Sequence, residues 1–282
     1  MSLVGEGVET LETRALKFRR RYGERAPLPR GPWSATLDVL LDHKTARAYL
    51  PDQLPAGLIE TLVAAAQSAP TSSNLQAWSV VAVQDSARKA RLAQLAGSNK
   101  HIDEAPLFLI WVADLARARA IATQNGAPGD GLDYLESFLV AAIDAALAAQ
   151  NAVVAANSLG LGSCYIGGIR SNPEAVANEL GLPPETVAVF GLTVGYPDVE
   201  RESEVKPRLP QSSVLHYERY GEAARQEDLT TYNETLKSFQ SEQSMPLVDW
   251  TELVTRRAAT TPALNGRERL TLVLRKLGFK LG

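Results

Sequence analysis

The stretch Asp133-Tyr-Leu-Glu-Ser-Phe-Leu-Val-Ala-Ala-Ile-Asp-Ala-Ala-Leu-Ala-Ala-Gln-Asn-Ala-Val-Val-Ala-Ala-Asn-Ser-Leu159 decides how this chain is read. It predicts a single helix longer than the usual globular one. Ala141, Ala142, Ala145, Ala146, Ala148, Ala149, Ala152, Ala155 and Ala156 make it small-surfaced nearly all round. Small side chains let helix axes approach closely, and a helix that is apolar on most sides must be covered on most sides. A dimer is the favoured way to cover it. Phe138–Ala156 is also the one candidate membrane span, but Asp144, Gln150 and Asn151 interrupt it and alanine dominates, so it reads as a buried helix of a soluble protein.

Outward from this helix the chain alternates helices and strands. Ser79–Val83, Leu107–Ala113 and Val187–Val194 are short apolar runs rich in β-formers and predict buried strands. Gly57–Gln67, Ser86–Leu95, Pro173–Leu180, residues 226–240 and Gly266–Gly278 predict helices. Gly160 is placed to end the long helix, and Asn172-Pro173 to start the next with a cap and a first-turn proline. The pattern is α+β around a central sheet. Residues 1–33 read as an arm: a helical pattern through Val8, Leu11, Ala15 and Phe18, the solvated basic run Arg19-Arg20-Arg21, then a loop with Pro27, Pro29, Gly31 and Pro32. The main domain is expected over 34–220 and a C-terminal helical excursion of it over 221–282.

Composition narrows the function. The 282 residues carry 29 Lys+Arg against 32 Asp+Glu, a net charge of −3, with 45% hydrophobic and 22% charged residues. This is an ordinary globular balance and argues against a nucleic-acid binder. Cys164 is the single cysteine, so an internal disulfide framework and a cysteine-based zinc site are excluded. His43, His101 and His216 have no metal-ligand spacing, and no nucleophile triad can be argued. Residues 1–30 contain no apolar secretory core, so a cytoplasmic location without a membrane partner is expected.

Three stretches stand out. His43-Lys-Thr-Ala-Arg47 and Val205-Lys-Pro-Arg-Leu-Pro210 combine cations with a hydroxyl and with prolines that limit backbone freedom, which suits an anion such as phosphate. Each alone is more often a solvated charged face. In Gly160-Leu-Gly-Ser-Cys-Tyr-Ile-Gly-Gly168, the glycines follow a helix rather than a strand, the wrong order for a dinucleotide fingerprint. Gly167-Gly168 reads either as backbone held against a ligand or as a simple turn. The loop Ala69-Pro-Thr-Ser-Ser-Asn-Leu-Gln76 is explained by turn formation without a ligand.

Taken in order from about Asp38 to Tyr220, these motifs resemble the nitroreductase family, and within it the oxygen-insensitive NADPH nitroreductases and flavin reductases. The resemblance is carried by His43-Lys-Thr-Ala-Arg47, Ala69–Trp78, Asn99-Lys-His101, the end of the alanine-rich helix, Tyr165-Ile-Gly-Gly-Ile-Arg-Ser-Asn172 and Val205–Pro210. It implies an α+β fold with a mostly antiparallel sheet flanked by helices, an intertwined homodimer and an FMN at each interface site. It also implies hydride transfer from NADPH or NADH through FMN N5 to nitroaromatics, quinones or free flavin, in a ping-pong pattern. By carry-over, His43, Thr45, Lys206 and Arg208 hold the FMN phosphate, and Lys44 is a further cofactor-binding residue. Arg47 and Asn99 face the pyrimidine edge, where a cation stabilises reduced flavin. Tyr165, Ile166, Gly167 and Gly168 line the ring, the glycine N–H groups serving N5 and O4. Thr71, Ser72, Ser73 and Leu75 reach the cofactor from the other subunit, and Asn74 flanks the substrate. No catalytic side chain and no metal are expected, because the cofactor carries the chemistry.

The chain departs from the family pattern in places. Lys44 keeps charge without a bidentate contact, Thr45 replaces the commoner serine, and Asn99 replaces a longer glutamine. The arginine pair expected to grip the NADPH 2′-phosphate is absent around Glu242–Pro246, leaving Arg256, Arg257 or, better aligned, Arg267. Two alternatives stay open: a flavin reductase that supplies a partner monooxygenase, and a low-turnover flavin-binding regulatory protein.

Overall fold

The computed structural model describes residues 11–24, 26–28, 30–201 and 204–282. In chain order the elements are α1 (Leu11–Tyr22), α2 (Ala35–Asp42), α3 (Leu58–Gln67), β1 (Trp78–Val83), α4 (Ser86–Leu95), α5 (Lys100–Glu104), β2 (Leu107–Asp114), α6 (Ala116–Gln124), α7 (Leu135–Ser158), β3 (Gly162–Ile166), α8 (Pro173–Leu180), β4 (Thr186–Gly195), α9 (Gln226–Glu242), α10 (Trp250–Ala258) and α11 (Leu270–Lys276). Two compact units result, each made of two stretches of chain: residues 1–44 with 203–263, and 45–202 with 264–282.

The larger unit is built around β2, whose eight residues are all buried. Because side chains alternate along a strand, β2 feeds two cores. Leu107, Leu109, Trp111 and Ala113 pack with α3 and α7, whereas Phe108, Ile110 and Val112 pack with α4 and α8. Each fully buried large side chain contributes about 1.5–3 kcal/mol of transfer free energy. The sheet order is β1-β2-β4-β3, antiparallel throughout, with a bulge in the β2–β4 ladder at Trp111/Val112. The expected α+β class and antiparallel sheet are therefore present.

The strand β3 was not expected. Its five residues lie inside the stretch read as a glycine loop, and so short a run between glycines carries no periodic signal. It pairs with β4 from Gly162↔Gly195 to Ile166↔Gly191. Gly160, at φ +75°, ends α7 as expected: its N–H donates to Asn157 O, and that of Leu161 to Ala156 O. Asn172 precedes Pro173 as expected, but its side chain donates to Leu95 O at 2.8 Å instead of capping its own helix.

The alanines of α7 are used on one side only. Ala141, Ala145, Ala148, Ala149, Ala152 and Ala156 are buried against the β2 and α3 layer, and Asn151 Nδ2 donates to Ala65 O. Leu135, Leu139, Ile143 and Leu147, four residues apart on another face, are 40–56% exposed. Expected cover on most sides is thus incomplete in a single chain. By length and composition alone α7 is long and apolar enough to cross a membrane, yet its packed face carries Asp144, 1% exposed.

The chain end closes the larger unit. Phe279 packs edge-on against Phe138 at 5.3 Å, and the Gly282 N–H donates to Asp133 O. Arg119 bridges Asp133 (2.6 Å) and Glu185 (2.7 Å), and Lys280 also reaches Asp133 (2.6 Å). These cations hold the Asp133 carboxyl below its ordinary range.

In the smaller unit, α9 buries Tyr232, Leu236 and Phe239. The Tyr232 ring meets Trp250 of α10 edge-on at 5.5 Å, and the Gln240 amide brackets both backbone groups of Val248. The N-terminal helix α1 packs on α2. Lys17 on α1 is buried between Asp38 (3.3 Å) and Asp42 (2.7 Å) of α2, and Phe18 is buried beside it.

Candidate functional site

The smaller unit holds His43, Lys44, Lys206 and Arg208. His43 ends α2, its backbone leaving the helix at φ −54°, ψ 127°. The 205–208 stretch alternates: Val205 and Pro207 are buried while Lys206 and Arg208 are exposed. Its backbone is fixed at three consecutive residues. Lys206 O accepts from Arg21 Nη1 at 2.9 Å, Pro207 O accepts from the Tyr232 hydroxyl at 3.0 Å, and the Arg208 N–H donates to Arg21 O at 2.7 Å. Lys206 and Arg208 are thereby carried on a hydrogen-bonded main chain, with Arg208 Nη1 also donating to Pro207 O at 3.3 Å.

Arg21 was expected in solvent with its neighbours. Arg19 and Arg20 are exposed, but Arg21 is 6% exposed, and its Nη2 also donates to Leu41 O and His43 O, both at 2.7 Å. A visible signal was its helical phase, three residues after the buried Phe18. Burial first, then the Arg208 charge, lower the Arg21 pKa. Like charges held this close favour an anion beside them.

The larger unit holds the remaining expected residues. Thr45 bridges Ser163 on the outer edge of β3, and the Ala46 N–H donates to Ser163 O, so Thr45–Arg47 runs along the strand that leads to Gly167 and Gly168. Arg47 is exposed. Tyr165 points outward from β3, its ring edge-on to Phe190 at 5.2 Å, while Ile166 is buried. The two glycines differ. A Cβ on Gly168 would lie 2.2 Å from the Ala96 carbonyl oxygen, so packing alone requires glycine there. At Gly167 it would meet only the Arg170 guanidinium, 3.4 Å away. Asn99 converges on the same place, its Nδ2 donating to Ala96 O at 2.7 Å.

The Thr71–Leu75 loop sits elsewhere in this unit, hung on α7. The buried Asp144 accepts from the Ser72 N–H (3.2 Å) and the Ala77 N–H (3.1 Å). Between these anchors Ser73, Asn74 and Gln76 adopt left-handed backbone with φ of 48°, 54° and 50°. Non-glycine residues held there store of order 1 kcal/mol each or more and cluster at functional loops. Ser72–Gln76 is exposed. Asp144 is buried on α7 beside Ala141 and Ala145 of one core, and Ala96 belongs to the core across the sheet, so this loop and the Asn99–Gly168 group lie on opposite faces. The clue to Asp144 was a carboxylate in the middle of the alanine-rich part of a helix.

Two further groupings were not legible in the sequence. Cys164 Sγ lies 3.9 Å from His101 Nε2, with Arg47 near both. Burial raises the thiol pKa against the pull of Arg47, while burial and then the Arg47 charge lower that of the imidazole. Both shifts favour the neutral pair, which is the wrong state for a thiolate nucleophile. Arg267, by contrast, has a buried Nε without a partner among the described residues, and its charge adds to burial in lowering the pKa of Arg170.

With this geometry in hand, comparison with known proteins is specific. The model of the nitroreductase family matches residues 40–196, and that of the nitroreductase family C-terminal domain matches 206–282. The chain belongs to the nitroreductase family. Among relatives of this nitroreductase-family protein, an FMN reductase (NADPH) from Bacillus subtilis is 38% identical over 212 residues, 74% of this chain and 84% of that one. An oxygen-insensitive NADPH nitroreductase from Salmonella typhimurium is 35% identical over 206 residues, 73% of this chain and 82% of the relative. The solved structure of NfrA2 from B. megaterium superposes with a TM-score of 0.83 at 36% identity, covering 89% of this chain and all of that one.

Proposed function

We propose that this nitroreductase-family protein is an FMN-dependent NAD(P)H oxidoreductase that reduces nitroaromatics, quinones or free flavin. The observation that carries the reading is the fixed Lys206–Arg208 backbone, which presents two cations beside His43 and keeps Arg208 close enough to perturb Arg21. Such a cradle suits the FMN phosphate, with His43, Lys44, Lys206 and Arg208 as its ligands. When bound, FMN supplies the two-electron chemistry. Arg47 would provide positive charge for the pyrimidine edge, with Asn99 as a second polar contact to it. Tyr165, Ile166, Gly167 and Gly168 give the ring a wall whose backbone is held by the β3–β4 ladder.

Arg267 is the proposed contact for the NAD(P)H phosphate; its partnerless buried Nε supports an anionic ligand. Donor and acceptor would use one place in turn, giving ping-pong kinetics, with Asn74 influencing which acceptor fits. The relative named FMN reductase (NADPH) favours free flavin as one acceptor, and a cytoplasmic location would suit the nicotinamide donor. A visible spectrum of the purified protein should show bound flavin that bleaches anaerobically on adding NADPH or NADH. A colourless protein that takes up no FMN would overturn the reading.

A homodimer completes it. The exposed Leu135, Leu139, Ile143 and Leu147 stripe supports pairing of α7 with a second copy, and that copy would supply its Thr71–Leu75 loop. Sedimentation should find a dimer that Ile143→Lys converts to monomer; a monomeric wild type would remove this part of the proposal.

A further inference from the structure

The family models begin at residue 40, so α1 lies outside what they describe. Yet one side chain on α1 gathers both halves of the proposed phosphate cradle. The Arg21 guanidinium donates to Leu41 O and His43 O through Nη2 and, through Nη1, to Lys206 O, 185 positions away in the chain. One planar fork thus joins the two segments. The Arg21 carbonyl in turn accepts the Arg208 N–H. These four bonds set where His43 leaves α2 and where Lys206 and Arg208 begin. Arg21 has spent its forked donors on carbonyls and is buried, so it orders the cradle from behind.

We propose that Arg21 is a positioning residue that sets the affinity for the phosphate group of the flavin, and that α1 is thereby part of the binding machinery. This rests on the FMN reading above. The helix is itself held in place against α2 and the loop before it. Lys17 is clamped by Asp38 and Asp42, and Arg14 lies over the Trp33 ring at 5.4 Å, whose Nε1 donates to Asp38 at 2.8 Å. A guanidinium is suited to this role because its donors lie in one rigid plane, which an ammonium does not reproduce.

The test is titration of the full-length apoprotein with FMN and with riboflavin, which lacks the phosphate, followed by quenching of flavin fluorescence. Arg21→Ala should raise the FMN Kd about tenfold or more while riboflavin affinity changes less than about twofold. Arg21→Lys keeps the charge and separates geometry from simple attraction; it should show a smaller loss, again confined to FMN. Arg20→Ala, on the exposed side of the same helix, should bind both flavins as the wild type does. Unchanged FMN affinity in Arg21→Ala, or an equal loss for both flavins in Arg21→Lys with unchanged helix content, would overturn the assignment. A wild type that binds neither flavin would overturn the FMN reading itself, whereas a wild type that binds FMN with Arg21 variants unaffected overturns only this inference.

Discussion

Replacing Asp144 by Ala should lower the unfolding free energy by about 2–5 kcal/mol, read from the midpoint of urea unfolding with its slope unchanged. The side chain is 1% exposed and its two oxygens accept from the Ser72 and Ala77 N–H groups. Each bond to a charged acceptor contributes about 1.5–3 kcal/mol, and its loss leaves the Ala77 N–H buried without a partner. Relief of the buried charge offsets part of this. The variant also frees a loop in which Ser73, Asn74 and Gln76 are held at positive φ, so that segment should relax toward ordinary backbone. Asp144→Asn should cost less, because one acceptor remains for Ala77. A midpoint unmoved by Asp144→Ala would show that the loop is held by other means.

Replacing Arg208 by Ala should weaken FMN binding by about 1.5–3 kcal/mol, which is about 10- to 150-fold in Kd. The backbone around it is fixed by Arg21 and Tyr232, so truncating an exposed side chain should leave the loop in place. The loss should therefore fall on the phosphate alone, sparing riboflavin. Titration of the apoprotein checks this, and an unchanged FMN Kd would remove Arg208 from the proposed ligands. Raising the salt concentration should reduce the difference between the two proteins, because an exposed charge is screened.

Much of the fold was legible because its signals are local and periodic. The strand at 107–114 announces itself as an unbroken apolar run, and the helix at 135–158 by length and composition. Gly160 and Pro173 mark their boundaries through backbone chemistry that no neighbour needs to supply. β3 escaped because a five-residue strand among glycines exists only through its pairing with β4. α10 escaped for a similar reason: its place depends on the Tyr232–Trp250 and Asn233–Thr251 contacts with α9.

The candidate site divides along the same line. By itself the sequence determined which residue types are available: cations and a hydroxyl at 43–47 and 206–208, paired glycines at 167–168, a hydroxyl-rich loop at 71–73. Only the tertiary structure decided what holds them. It made Gly168 a packing requirement against Ala96 O, turned Asp144 from an interruption in an apolar helix into the anchor of the 71–77 loop, and drew Arg21 out of a basic run into a buried clamp. The reason is physical: a hydrogen bond between residues 72 or 185 positions apart leaves no period in the chain, and whether a charge is solvated or buried depends on which distant backbone is brought to it.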